Sequence, residues 1–483
     1  MEPYRRGRKE FLGNAAFWTW LTKALGMPAL LATPPRATQA LPASRLTIIG
    51  RERLIRLLGA SGLSEDHAER ARFSDGHGLP DLLRRRLGDV ASAPDGVLYP
   101  RNGADVQGVL MLCAELGIAV FPAGGRGNAP HSRDKPVLAL DLSGLKHILT
   151  RDPVSGLVDV EAGISGAELE QQLDAQGQTI GETFVSSLGA WIASAATMPP
   201  AVQSLKVATP RGPLHLDKGL HHLIAGSRGR LGVITSATLR IRHQPEDALC
   251  CAYLFSDFAA GLTMLREIVR RDLAHDRLLL LDDGATRFER ALRRHTWNLA
   301  ESFYDAWRRL RGFDSGAARL IINFSGSEAQ RKLARKNFEA LARRLGSFSL
   351  GAATLGPAYP RDALLDRGVG IDQLQFSATW SELPLRYARL RAALKQALRA
   401  RPALAGAHGL VMTQVSHARS DGALLTVSWL FARKLEEEVA QATAIREAAL
   451  AAAAIYPRQR LERDVLDAIK RTLDPTNSLT PEA

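Results

Sequence analysis

Cysteine is scarce in this chain of 483 residues, which holds Cys113, Cys250 and Cys251 and no others. Adjacent cysteines rarely pair with each other, and no spacing here suits a metal, so neither a disulfide framework nor a metal centre is expected. The usage fits a reducing compartment. Aromatic residues make up 6% and are not interleaved with the basic ones. With no zinc-finger, KH or RRM signature, nucleic-acid binding is set aside. Long apolar runs are also missing. The best is Phe11 to Ala32, which Trp18, Trp20 and Lys23 interrupt and Pro28 breaks, so it is too short and mixed to span a bilayer. Arg5, Arg6, Arg8 and Lys9 precede it in the manner of a signal peptide. The preferred reading is a short amphipathic helix in a cytoplasmic protein, with peripheral membrane contact as the alternative. No Ser–His–Asp set, paired carboxylates or P-loop lysine stands out.

Charge of one sign is in excess. The formal net charge is +13, which favours anionic partners such as phosphorylated metabolites. At roughly 150 residues per domain the length allows two or three domains. Residues 34–43 form a Pro/Ala-rich linker, and a charged helical segment follows over about 50–90. From Asp95 short strands and helices alternate. Asn102 is placed to cap a helix carrying Val106, Val109, Leu110 and Cys113 on one face, with Gly117 as its left-handed stop. Ile118 to Phe121 reads as a buried strand. Ser165 and Glu168 form a capping box. Thr209 to Gly212 reads as the turn of a hairpin. Beyond residue 248, strands such as Leu320–Phe324 alternate with long helices, one over Ser327–Leu345. The expected divisions are a helical segment 1–91, a nucleotide-binding domain 92–247, an α+β domain 248–440 and a helical tail 441–483.

Two glycine-rich loops mark the candidate site. Pro122-Ala123-Gly124-Gly125-Arg126-Gly127-Asn128 follows the buried strand, and Gly226-Ser227-Arg228-Gly229-Arg230-Leu231-Gly232 leads into another strand at Val233 and Ile234. Lacking Cβ, glycines let backbone N–H groups approach an anion closely. Tight turns alone explain such glycines about as often. Neither loop follows the Rossmann or P-loop pattern. Together they favour a phosphate-bearing ligand.

The order of these segments resembles the FAD-binding domain shared by vanillyl-alcohol oxidase and p-cresol methylhydroxylase, and more closely the alkyldihydroxyacetonephosphate synthase family. The similarity rests on residues 118–128, Val160–Ile164, Thr209–Gly212, His221–Ser227, Gly232–Thr235, Ser377–Trp380 and Leu473–Asn477. It implies an α+β fold: a two-subdomain FAD-binding domain of the p-cresol methylhydroxylase type, then an α+β cap domain and C-terminal helices. It also implies non-covalent FAD held by the two loops together with Ser187, Gly189, Ser194 and Thr197, no metal, and His221 and His222 as the retained candidate catalytic pair. The family's reaction exchanges an acyl group for a long-chain alcohol on a dihydroxyacetone phosphate ester, in ether-lipid synthesis. Expected partners are therefore a lipid-derived phosphate ester, and a second copy or an intact homologue.

The sequence departs from the family at several positions. Arg126, Gly127 and Asn128 replace a glycine, a threonine and a serine. Arg228 and Arg230 replace a glutamate and a threonine. The turn before Ser187 is shortened to Thr183-Phe184-Val185. Glu382 stands where an active-site arginine is expected, the strand Leu425–Trp429 lacks a tyrosine, and Ala451 to Ala454 replaces a run of histidines. A reversed charge opposes an anionic substrate, and each lost proton-transfer group is worth about 10²–10⁴-fold in rate. The expectation is a flavoprotein whose exchange chemistry is largely lost. The alternatives are a non-catalytic homologue that stabilises an active synthase-like partner, and an FAD-dependent hydroxy-acid dehydrogenase.

Overall fold

The computed structural model describes residues 11–37, 40–74, 78–90, 92–123, 134–182, 184, 186–195, 198–217, 219–245, 247–293, 313, 316–353, 361–453 and 460–480. The chain divides into two compact units. One comprises Arg36–Gln244 with Tyr456–Ala483, the other Met1–Pro35 with Pro245–Ile455.

The first unit holds two sheets. A four-stranded sheet runs in the order Leu63–Ser64, Gly96–Leu98, Val137–Asp141, Ala119–Ala123, and its last three strands are parallel. Parallel strands need crossover connections, and the helix Gly103–Leu116 precedes Ala119–Ala123 in that role. Asn102 Oδ1 accepts from Asp105 N at 2.9 Å and caps the helix. Gly117 ends it at φ 67°. Val106, Val109, Leu110 and Cys113 are buried on its inner face, each of the larger ones worth about 1.5–3 kcal/mol over exposure. Burial pushes the Cys113 thiol up to about 12, so it is inert core.

The second sheet is antiparallel, in the order Ile148–Asp152, Leu157–Glu161, Val233–Arg240, Val202–Thr209, Gly212–Leu216. The hairpin expected at Thr209–Gly212 pairs those two residues directly. Ser165 and Glu168 complete their capping box at the start of Gly166–Asp174. The two sheets meet closely. A Cβ on Gly163 would stand 1.8 Å from the Leu142 carbonyl, so no larger residue fits between them.

The other unit is built on a seven-stranded antiparallel sheet, ordered Phe348–Ala352, Ala248–Phe255, Ala318–Ser325, Arg277–Leu281, Leu410–Ser416, Gly422–Ala432, Val369–Thr379. Helices Phe258–Arg270, Glu328–Arg344, Leu383–Ala400 and Glu438–Ala453 pack on it.

The sequence-based divisions differ from this arrangement at both ends. Residues up to Pro35 join the second unit and residues from Arg36 the first. The reason is core formation. Helix Ala15–Ala24 buries Phe17, Trp18 and Leu21 in one cluster with Phe288, Leu364, Ile371 and Leu430. Its apolar face is thus occupied by its own unit, while the basic residues Arg5, Arg6, Arg8 and Lys9 lie outside the described residues. The expected tail 441–483 also splits. Helix Glu438–Ala453 stays with the second unit, and helix Arg460–Leu473 belongs to the first. No helix among the described residues is long and apolar enough to cross a membrane.

Candidate functional site

The parallel strands of the first unit all end at the same edge, where α/β sheets place their ligands. At that edge lies an open cleft. Widely separated stretches of sequence line it. Phe121, Pro122 and Ala123 come from the end of the parallel strand. Ser187, Gly189, Ala190, Ala193 and Ser194 come from helix Leu188–Ser194 and its cap. Arg228 and Gly229 belong to the second glycine loop, and Gly232, Val233 and Ile234 open the antiparallel strand that follows. Leu142 and Thr480 complete the lining.

Local chemistry fixes each wall. Ser187 Oγ accepts from Ala190 N and caps the short helix. Gly189 N donates to the Ala162 carbonyl at 2.7 Å, which seats the helix on the antiparallel sheet. The loop turns through left-handed backbone at Gly226, Arg228 and Gly229. Arg228 N is held by the Ala193 carbonyl at 3.1 Å. At Gly229 (φ 84°) a Cβ would stand 2.6 Å from Pro122 Cγ. Glycine is required there because the two glycine-rich segments touch at that point.

Ten of the sequence-predicted residues therefore share one cleft: Pro122, Ala123, Ser187, Gly189, Ser194, Arg228, Gly229, Gly232, Val233 and Ile234. Gly226 belongs to the same loop, beside the Ala195 carbonyl. Arg230 points elsewhere, its guanidinium 3.5 Å from Asp467. Gly124, Gly125, Arg126, Gly127, Asn128 and Thr197 lie outside the described residues. His221 and His222 do not line the cleft. They sit on the 3₁₀ turn His221–Leu223, with His221 buried, His222 exposed and their rings 4.4 Å apart. The shortened segment before Ser187 places Phe184 flat against Trp191, ring centroids 4.6 Å apart.

The lining fits a diphosphate-bearing ligand. Small residues leave backbone accessible, Ser187, Ser194 and Thr480 supply hydroxyls, and Arg228 supplies a cation. Ser227 Oγ, on the same loop, is buried without a hydrogen-bond partner, a polar group whose burial is costly unless a ligand or solvent satisfies it. Among the described residues no cluster of His, Cys, Asp or Glu is arranged to hold a metal.

Residues 94–215 match the FAD binding domain family, and residues 244–456 match the C-terminal domain of FAD linked oxidases. The chain is an FAD-binding flavoprotein related to alkyldihydroxyacetonephosphate synthase. The synthase of Dictyostelium discoideum is 26% identical over 361 residues, covering 66% of this chain and 59% of that protein. The mitochondrial D-lactate dehydrogenase [cytochrome] of Arabidopsis thaliana is 26% identical over 234 residues, 44% of this chain and 41% of that protein. Among solved structures, alkyldihydroxyacetonephosphate synthase matches with a TM-score of 0.80 at 22% identity, covering 97% of this chain and 91% of that one. p-Cresol methylhydroxylase with substrate bound matches with a TM-score of 0.66 at 15% identity, covering 92% and 98%. The structural matches establish the fold, that of the p-cresol methylhydroxylase type. FAD is the flavoprotein's cofactor.

The positions where the resemblance expects exchange chemistry, Glu382 and strand Leu425–Trp429, fall in the second unit. Glu382 immediately precedes helix Leu383–Ala400. Its carboxylate accepts from Thr379 N at 3.2 Å and lies 3.5 Å from Arg386. The Thr379 N–H, with Arg386 beside it, holds Glu382 below the usual carboxylate range, against a small cost of burial. Strand Gly422–Ala432 carries Trp429 fully buried, with Nε1 lacking a hydrogen-bond partner. On the opposite side of that strand, Thr426 and Ser428 pair with Gln375 and Gln373 of the neighbouring strand. Gln375 Nε2 donates to Thr426 Oγ1 at 2.9 Å. These are neutral carboxamide and hydroxyl groups.

Of the lining residues, Phe121, Leu142, Ala190, Ala193 and Thr480 were not among the predicted ones. Leu142 gave no signal beyond the end of a strand. The tail had already drawn notice at Leu473–Asn477, and the residues just beyond it reach the cleft.

Proposed function

We propose that this flavoprotein holds FAD in the cleft of its first unit and does not catalyse the acyl-for-alkyl exchange of the synthase family. Glu382 carries this reading. Where the resemblance expects an arginine, the chain has a carboxylate kept anionic by its own turn. An anion there repels a phosphate ester, and no tyrosine on strand Gly422–Ala432 supplies a proton in its place.

Pro122, Ala123, Arg228, Gly229 and the hydroxyls of Ser187 and Ser194 would hold the cofactor, with Gly124 to Gly127 adjoining them in sequence. Bound FAD supplies a two-electron redox centre. Arg228 offsets phosphate charge, and the small lining residues let backbone approach it.

A second reading is a flavin-dependent dehydrogenase of a neutral hydroxylated substrate. The row Gln373, Gln375, Thr426 and Ser428 favours it, because such groups hydrogen-bond hydroxyls without requiring a charge.

One experiment separates these readings. The purified full chain, reconstituted with FAD, is incubated with acyl-dihydroxyacetone phosphate and a fatty alcohol, and separately with polyols and other uncharged alcohols under anaerobic conditions. The first reading predicts a flavin spectrum with no exchange product. Bleaching of the flavin by a hydroxylated compound would establish the dehydrogenase. Formation of the alkyl ester would overturn the central proposal.

A further inference from the structure

The two family matches end at residue 456, yet the tail beyond that point is part of the FAD-binding unit. Ile469 and Leu473 of helix Arg460–Leu473 pack against the core of the antiparallel sheet. Leu479 is fully buried in the core of the parallel sheet. There it pairs with Val120 like an added parallel strand: Val120 N donates to Ser478 O and Thr480 N to Val120 O, both at 2.7 Å.

A buried ion pair fixes the last turn. Lys470 Nζ lies 2.5 Å from Asp474 Oδ2 and also donates to the Leu479 carbonyl. Asp474 in turn accepts from Ser478 N at 2.9 Å, Ser478 Oγ at 3.0 Å and Leu479 N at 2.8 Å. A charge pair this enclosed is retained only where its remaining hydrogen bonds are satisfied, and these are. Its consequence is the placement of the next residue. Thr480 lines the cleft beside Pro122 and Gly229. Its Oγ1 lies 3.5 Å from the Gly229 carbonyl, the long limit of a hydrogen bond, so the hydroxyl is poorly committed within the protein.

We infer that Thr480 is a cofactor-binding residue supplied by the tail, its hydroxyl hydrogen-bonding a polar group of FAD, and that the Lys470–Asp474 clasp positions it. The inference rests on the reading that FAD occupies this cleft.

The test is FAD titration of the full-length apoprotein by flavin fluorescence, with thermal melting recorded without FAD. Thr480→Val keeps the shape and removes the hydroxyl. It is expected to weaken FAD about tenfold, the effect of one hydrogen bond to a charged group, while the apoprotein melts as wild type. Thr472→Val, on the exposed outer part of the tail helix, serves as the control and is expected to change neither. A chain ending at Thr472 should lose FAD binding and melt at a lower temperature. Unchanged affinity in Thr480→Val, with wild type binding FAD normally, overturns the role of Thr480 alone. Absence of FAD binding by wild type overturns the cleft reading and this inference with it.

Discussion

The unit formed by Arg36–Gln244 and the tail has a lining suited to a phosphate-bearing ligand, with Arg228 standing where the resemblance expects a glutamate. Arg228 brings a cation to a cleft of small residues and hydroxyls, and Gly229 keeps the backbone that the contact with Pro122 demands. In the unit formed by the N-terminal helix and Pro245–Ile455, the proposed loss of exchange chemistry rests on two positions. Glu382 stands where the resemblance expects an arginine, and strand Gly422–Ala432 presents Thr426 and Ser428 with no tyrosine. Both units keep well-formed cores. On the proposed function, the fold holds its cofactor architecture while its reaction groups drift, because the first is tied to packing and the second is not.

The comparison can be broken from either side. The largest effect is expected at Trp429, at the centre of the second unit and fully buried. Trp429→Ala should cost about 3–5 kcal/mol through lost contacts and the cavity left behind, lowering the melting temperature while FAD affinity per folded molecule stays the same. A matching loss of FAD affinity would show that the two units do not act separately. Next is Gly229→Val. A β-branched residue at φ 84° whose Cβ falls 2.6 Å from Pro122 should destabilise by about 2–4 kcal/mol and abolish flavin absorbance. Retention of FAD would place the cofactor elsewhere.

A smaller effect, sensitive to pH, is expected at Asp474. Burial raises its pKa, but the Lys470 ammonium and the Ser478 and Leu479 N–H groups outweigh burial and hold it below the ordinary value. A depressed folded pKa gives stability that is present above the unfolded pKa, near ~4, and is lost as pH falls through the folded value. Wild type and Asp474→Asn should therefore differ in melting temperature at neutral pH and converge in strong acid. A difference independent of pH would mean that the pair contributes through packing alone. The smallest change is expected for Glu382→Gln. Its carboxylate is partly exposed and its main hydrogen bond can be kept by a carboxamide, so stability should shift by no more than about 0.5 kcal/mol and FAD affinity not at all.

Much of the cofactor unit was legible in the sequence because its signals are local. The Asn102 cap, the Gly117 stop, the Ser165–Glu168 box and the Thr209–Gly212 turn each act over a few residues, and each is present. Ten predicted site residues meet in the cleft, most of them beside a strand end and Ser187, Gly189 and Ser194 on the short helix Leu188–Ser194 and its cap. The histidine pair was less legible. A strand would send neighbouring side chains to opposite faces, and the 3₁₀ turn also buries one and exposes the other, but away from the cleft lining. The ends of the chain were least legible. Trp18 reads equally well as a membrane anchor or as core, and its partners Phe288 and Leu430 lie hundreds of residues away. Thr480 reaches the cleft only because Leu479 pairs with Val120, a contact that no local pattern announces.

The most direct test of the account is the absorption spectrum of the purified full-length chain after incubation with FAD and removal of free cofactor. The account predicts a flavin spectrum with FAD bound in stoichiometric amount, abolished in Gly229→Val and retained in Glu382→Gln. A colourless protein that takes up no FAD would contradict it.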